Sequence, residues 1–192
     1  TDVFARPLGA RRGANLGQTF IIENLGGAGG TIGAQTAAGA APDGYTFFIG
    51  AIHHTIAESL YMKKTYKLEQ AFEPITVLGY VPNVLVIHPK HPFKSVDDVV
   101  KYAKANPGKL NYGSAGSGAS HHLAGELFKR LAGVDLVHVP YKGIGPMMTD
   151  LLGGVVDLAF DGLASSSAQI KAGKLIPLAV TSPQRSPLLP NV

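Results

Sequence analysis

Apolar and polar positions are patterned most regularly in the second half of the chain. From Ser95 onward, short apolar runs alternate with stretches of helical period. Ser95 is a helix cap with Asp98 three residues on, and Val96, Val99, Val100 and Ala103 fall on one face until Asn106-Pro107-Gly108 stops the helix. Strands are predicted at Lys109–Gly113, Val134–Val139, Val155–Phe160 and Leu175–Val180. The helices between them follow Ser120 (amphipathic from Leu123 to Leu131), open at Pro146, and cover Ser165–Ala172. Strands separated by helices of this length imply βαβ crossovers and a parallel sheet.

The first half is less regular. Thr1-Asp2 reads as a helix start with Val3, Phe4, Leu8 and Leu16 partly periodic, weakened by Pro7, Gly9 and Gly13. Thr19–Asn24 is predicted as a strand, followed by Gly26-Gly27-Ala28-Gly29-Gly30 and a small-residue helix from Thr31 to Ala41. Pro42-Asp43-Gly44 is a turn before a strand at Tyr45–Ile49, and a helix runs from His53-His54-Thr55 toward Tyr61. Phe72–Leu78 and Val84–His88 are further apolar strands, and Pro89-Lys90-His91-Pro92 breaks the structure.

Composition narrows the class. The 192 residues are 45% hydrophobic and 16% charged, with 24 glycines and 13 prolines, which suits α/β architecture with many tight turns. The net charge of +4 comes from scattered rather than clustered Lys and Arg, so nucleic acid is not an expected partner, whereas a small anion is compatible. With no cysteine, disulfides, thiol catalysis and Cys-based metal sites are excluded. No apolar run reaches the roughly 18 residues of a membrane span.

In a parallel sheet, ligands bind beyond the C-terminal strand ends. Three loops meet that condition: Ser114–Ser120, Pro140-Tyr141-Lys142-Gly143-Ile144-Gly145, and Asp161-Gly162-Leu163. The first is the most pointed. In Ser114, Ala115, Gly116, Ser117, Gly118, Ala119 and Ser120, glycines free the backbone and serines supply hydroxyls. No carboxylate lies between Asn111 and His122, and a helix start follows, which together describe an anion cradle. Asp161 is either a ligand-facing carboxylate or the N-cap of the next helix, and Tyr141 is read as lining the pocket.

Other chemistries fail on spacing. No serine of the loop has the Gly-x-Ser-x-Gly surround of a hydrolase elbow, and the Gly-x-x-x-x-Gly-Lys phosphate loop is absent. Gly27 and Gly29 would need a third glycine at 32, where Ile32 stands, so the dinucleotide fingerprint is broken. Adjacent histidines on a helix or strand point in different directions, so for the pairs His53-His54 and His121-His122 capping or ligand-facing roles are preferred to metal.

Several motifs resemble one family. Pro42-Asp43-Gly44-Tyr45-Thr46, the run from Ala105 through Asn106-Pro107-Gly108-Lys109-Leu110-Asn111-Tyr112-Gly113-Ser114-Ala115-Gly116, and His122-Leu123-Ala124-Gly125-Glu126-Leu127-Phe128 are similar to the Bug-type periplasmic substrate-binding proteins of tripartite tricarboxylate transporters. So are Val139-Pro140-Tyr141-Lys142-Gly143 and Asp150-Leu151-Leu152-Gly153-Gly154, and Glu23-Asn24 with Gly27–Ala34 fits the same pattern. The resemblance implies an α/β, two-lobed Venus-flytrap receptor, secreted to the periplasm, that closes on a small mono- or dicarboxylate and delivers it to a membrane permease. It implies no cofactor, no catalysis and a monomer. Lobe 1 would be residues 1–88, lobe 2 residues 89–181, and 182–192 the start of the crossing back. The carried-over ligand contacts are Ser114–Ser120 and Asp161 in the second lobe, with Thr1, Asp2 and His53 in the first. The family's opening strand with its proline-glycine loop, and the C-terminal return to the first lobe, are absent from this sequence, so the expected chain is truncated at both ends. The alternative is an α/β enzyme using Ser114–Ser120 as an oxyanion or phosphate hole, with His121 or His122 as base.

Overall fold

The computed structural model describes residues 2–192. They form two compact units, the first running to Tyr80 and the second from Val81 to Val192. The first unit contains α1 (Asp2–Leu16), a 3-10 turn at Ala28–Gly30 leading into α2 (Thr31–Ala38), α3 (Ile52–Leu60) and the short α4 (Leu68–Ala71). Helix α1 continues through Pro7 but packs the opposite way from its apolar period. Val3, Phe4, Leu8 and Leu16 are exposed, whereas Ala5 and Gly9 are buried. A Cβ at Gly9 would come within 3.3 Å of both Phe20 and Ile22, so the helix approaches the 19–22 segment through its smallest side chains.

The strands predicted at Thr19–Asn24, Tyr45–Ile49 and Phe72–Leu78 are not hydrogen-bonded ladders. Phe20 and Phe47 stack at 6.3 Å, yet no backbone partner lies at bonding distance of either segment among the described residues, so no sheet forms in this unit. Tyr45 is 87% and Ile21 82% exposed. Phe48 instead packs on His54 and Phe72, each at 4.8 Å. The Asp43 turn is as predicted: Tyr45 N–H donates to Asp43 Oδ1 at 3.0 Å.

The second unit is a five-stranded sheet with helices on both faces. Its elements are β1 (Asn83–Ile87), α5 (Val96–Ala105), β2 (Asn111–Ser114), α6 (Ser120–Ala132), β3 (Val137–Pro140), α7 (Ile144–Leu152), β4 (Leu158–Gly162), α8 (Leu163–Lys171) and β5 (Ile176–Val180). The order is β3-β2-β4-β1-β5. Strands β2, β3 and β4 are mutually parallel, but β1 is antiparallel to both β4 and β5, so the sheet is mixed rather than parallel. Because β1 belongs to this sheet, the two units divide at Tyr80/Val81, before that strand rather than after it at 88/89. The Pro89–Pro92 break is the turn that returns the chain along the sheet's lower edge, where His91 N–H donates to His88 O at 3.2 Å. Residues 182–192 group with this unit as well.

The run Val84-Leu85-Val86-Ile87 carries no polar alternation because both faces of β1 are buried. Leu85 and Ile87 pack with Phe93, Val99, Leu110, Tyr112, Leu158 and Phe160 on one face. Val84 and Val86 pack with Met147, Leu151, Ala159 and Leu163 on the other. Ser95 caps α5 as its sequence predicts, its Oγ accepting from Asp98 N–H at 3.2 Å.

Candidate functional site

Parallel pairing brings the ends of β2, β3 and β4 to one edge of the sheet. Tyr141 N–H donates to Ser114 O at 3.0 Å, and His121 Nε2 lies 3.6 Å from Asp161 Oδ1, so the three predicted loops do meet there. The start of β1 lies at the same edge, with Asn83 opposite Gly162.

The loop from β2 to α6 turns through Gly116 (φ 126°) and Gly118 (φ 81°), conformations that a side chain would strain. Its serines divide by role. Ser114 is fully buried, and its Oγ accepts from Gly116 N–H at 3.1 Å, lies 3.2 Å from Gly116 O and stands 2.7 Å from His138 Nε2. That hydroxyl shapes the loop. Ser117 is exposed, and Ala115 and Ser120 are half-buried. Ala119 N–H is taken by Gly116 O at 3.1 Å, and Gly118 N–H by His122 Nδ1 at 3.1 Å.

Ala119 is the N-cap of α6 and has no side-chain acceptor to offer, and the first turn holds no acid. The N–H groups of Ser120, His121 and His122 therefore point out of an uncapped helix start, where a helix offers its donors and the positive end of its dipole.

Asp161, at the end of β4, is fully buried. Its Oδ2 accepts from Ser165 Oγ at 2.7 Å and Ser166 Oγ at 2.6 Å, while Oδ1 has no hydrogen-bond partner. His121 is buried beside it, and its Nδ1 is also unpartnered. The N-cap of α8 is Gly162, with no side-chain cap, so Asp161 binds serines within the helix rather than capping it. Tyr141 follows β3 with its ring half-buried; its hydroxyl donates to Asp150 Oδ2 at 2.7 Å, and burial followed by that carboxylate pushes it up to about 12.

In the first unit, Thr1 lies outside the described residues. Asp2 spends both oxygens locally, accepting from Arg6 Nε at 2.8 Å and Asn24 Nδ2 at 2.6 Å, with the Arg6 bond the main cause of its lowered pKa. His53 is half-buried with its ring 4.0 Å from that of His54, against the Gly30 turn. His54 Nδ1 accepts from the N–H of Ala51, the N-cap of α3, at 3.0 Å, and Nε2 faces Gly30 O at 3.3 Å. The capping role is therefore realised by His54 in this unit, whereas His122 bonds the loop residue Gly118 and leaves the start of α6 uncapped.

One residue escapes the sequence pattern altogether. His138 sits between Val137 and Val139, and the only signal for it is a polar side chain inside an apolar run. Burial, then His122 and Lys129 against the pull of Glu126, pushes it down to about 4. Burial also lowers His54, and lowers His121 against the attraction of Asp161. The unfolded chain takes up these protons from about pH 6.5 downward, whereas the folded chain resists until lower pH. Stability should therefore fall as pH drops from about 6.5 toward 4, by on the order of 1–2 kcal/mol for His138 after discounting for partial solvent screening. Urea midpoints at pH 7 and 4.5 check this, and His138→Phe should flatten the slope; equal midpoints would refute it.

No group of His, Asp and Glu among the described residues is arranged to hold a metal ion. The chemistry on offer is anion binding by backbone donors, beside a buried carboxylate with one open oxygen.

The profile of the tripartite tricarboxylate transporter family receptor matches residues 4–192. Protein BugT of Bordetella pertussis is 37% identical over 194 residues, covering 100% of this chain and 60% of its own. The structure of the periplasmic binding protein BugD superposes with a TM-score of 0.95 at 40% identity, covering 100% of this chain and 64% of BugD. An R. palustris protein solved with adipate gives the same TM-score, 0.95, at 40% identity and 64% coverage of that protein. This chain thus spans less than two thirds of the length of these proteins, and it is a member of the tripartite tricarboxylate transporter receptor family.

Proposed function

We propose that this chain is the carboxylate-binding part of an extracytoplasmic solute receptor that works in the periplasm, without catalysis, and hands a small mono- or dicarboxylate to a tripartite membrane transporter. The observation that carries the reading is the uncapped start of α6 behind the Gly116–Gly118 turn, with no acid in its first turn. One ligand carboxylate lies against the N–H groups of residues 120–122, where oriented donors and the helix dipole favour negative charge. Asp161 Oδ1 and His121 Nδ1 support a second contact, because buried polar atoms are normally satisfied and these two are not. They suit a hydroxyl or amino group on the ligand. A solved relative that holds adipate supports the ligand class. No helix among the described residues is long and apolar enough to cross a membrane.

The test is calorimetric titration of the full-length receptor with succinate, malate, glutarate, adipate and monocarboxylates of the same lengths. One or more should bind. Ser120→Asp, which places a fixed negative charge at the helix start, should weaken that binding by tenfold or more, or about 1.4 kcal/mol. Binding by none of these acids would sink the reading, and an unaffected Ser120→Asp variant would move the carboxylate away from α6.

A further inference from the structure

Beneath the Ser114–Ser120 loop stands a column of three rings, one each from β2, β3 and α6. Tyr112 stacks on His138 with centroids 4.9 Å apart and planes 26° apart, and His138 stacks on His122 at 4.2 Å and 25°. The column is anchored at its base: Tyr112 Oη donates to Glu126 Oε1 at 2.7 Å, and Lys129 Nζ donates to the same oxygen at 2.9 Å. Each histidine then spends one nitrogen on the loop. His122 Nδ1 accepts the Gly118 N–H at 3.1 Å, and His138 Nε2 meets Ser114 Oγ at 2.7 Å. Ser114 Oγ in turn accepts from Gly116 N–H, so the two rings reach both left-handed glycines.

We propose that His122 and His138 are positioning residues for this loop, holding Gly118 N–H and Ser114 Oγ so that the loop and the start of α6 keep the shape that grips an anion. The inference rests on the anion-binding reading above.

A backbone N–H can only donate, so the contact with Gly118 requires a bare Nδ1 on His122 and places that ring's proton on Nε2. Protonating His122 sets two hydrogens face to face and releases Gly118. The charged and titratable groups around the pair are Glu126 and Lys129 from α6 and Tyr112 from β2, with Ser114 the polar neighbour on His138. A proton on either ring also puts a cation against the other imidazole in the stack. The bond to Gly118 is therefore available only from an Nδ1 that carries no hydrogen.

The test uses the full-length receptor and the tightest binder among succinate, malate, glutarate and adipate. His122→Phe and His138→Phe keep the stacked ring and lose the acceptor. His122→Asn and His138→Gln keep an acceptor near the original nitrogen. The Phe variants should weaken binding about tenfold, the effect of leaving one buried polar group without its hydrogen bond. The Asn and Gln variants should stay within about threefold of the unaltered receptor. In the ligand-free protein, exchange of the Gly118 amide should speed up about tenfold in His122→Phe and not in His122→Asn. Phe variants that bind normally, or Gly118 protection that survives His122→Phe, would each overturn the inference while leaving the anion site standing. If none of the four acids binds, both readings fall together. Should the Phe variants not fold, the Asn and Gln variants still decide: binding weakened tenfold or more in both would overturn the inference.

Discussion

Gly125→Ala is expected to destabilise the second unit by about 2–3 kcal/mol, although alanine is the better helix former by about 1 kcal/mol. The reason is the face that α6 turns to the sheet. A Cβ at Gly125 would stand 2.3 Å from Tyr112 Cε2, 2.6 Å from Cζ and 2.9 Å from Cδ2. A long flexible neighbour would swing aside. Tyr112 cannot do so cheaply: it is fully buried, bonded to Glu126 and stacked on His138. Relief therefore requires α6 to move off the sheet, which opens the core around Tyr112, Phe128 and Phe160. Urea midpoints of the variant and of the unaltered protein check this. A Gly125→Ala midpoint at or above that of the unaltered protein would refute the packing argument. Because Tyr112 carries the histidine column, the same variant should also weaken ligand binding.

How far the sequence reaches is clearest where two kinds of information separate. The run Val84–His88 and the strand–helix alternation after Ser95 located every strand of the second unit, because a segment buried on one or both faces must be apolar. Strand direction is a different property. Nothing in Val84-Leu85-Val86-Ile87 distinguishes a strand running with its neighbours from one running against them, and β1 runs against them. The first unit shows the same limit from the other side. Thr19–Asn24, Tyr45–Ile49 and Phe72–Leu78 have strand composition, but composition cannot supply the partner whose backbone completes a ladder.

The site divides similarly. Glycine-serine composition and the absence of acid placed the loop, and parallel pairing put Asp161 beside it. What the pattern could not tell was which polar atoms are already spent. Ser114, Tyr141 and Asp2 look available in sequence, yet each makes its bonds inside the protein, whereas Asp161 keeps one oxygen open. His138 was hidden because hydrophobic pattern places it as one more residue of an edge strand.

The edge of the sheet opposite the site depends on a single carboxylate, and Asp157→Ala should cost about 3 kcal/mol. Asp157 Oδ1 lies 2.8 Å from both Lys90 Nζ and His91 Nε2, and Oδ2 accepts the Asn111 N–H at 2.8 Å. Its own N–H donates to Asn111 Oδ1 at 2.9 Å, and its carbonyl accepts from His88 N–H at 2.9 Å. One residue thus joins the end of β1, the start of β2 and the approach to β4. Alanine would strand the Asn111 N–H in a half-buried place, and that loss outweighs the salt bridge, since Lys90 is 40% exposed and can turn to water. An asparagine in place of the acid could still accept from the Asn111 N–H, so Asp157→Asn should lose about half as much. Burial pushes this carboxyl up, but Lys90, the Asn111 N–H and His91 together outweigh it and hold the pKa below the ordinary value. The sign follows: a carboxylate with a lowered folded pKa contributes stability above its unfolded value, near 3.8, and loses it as pH falls through the folded value. Its acid window therefore lies below that of the buried histidines. In a stability–pH curve, Asp157→Asn should shrink the decline below about pH 4 and leave the decline between about 6.5 and 4 intact, whereas His138→Phe should shrink the upper decline and leave the lower one intact. Parallel curves for the two variants would show that the two ends of the sheet do not titrate as separate groups.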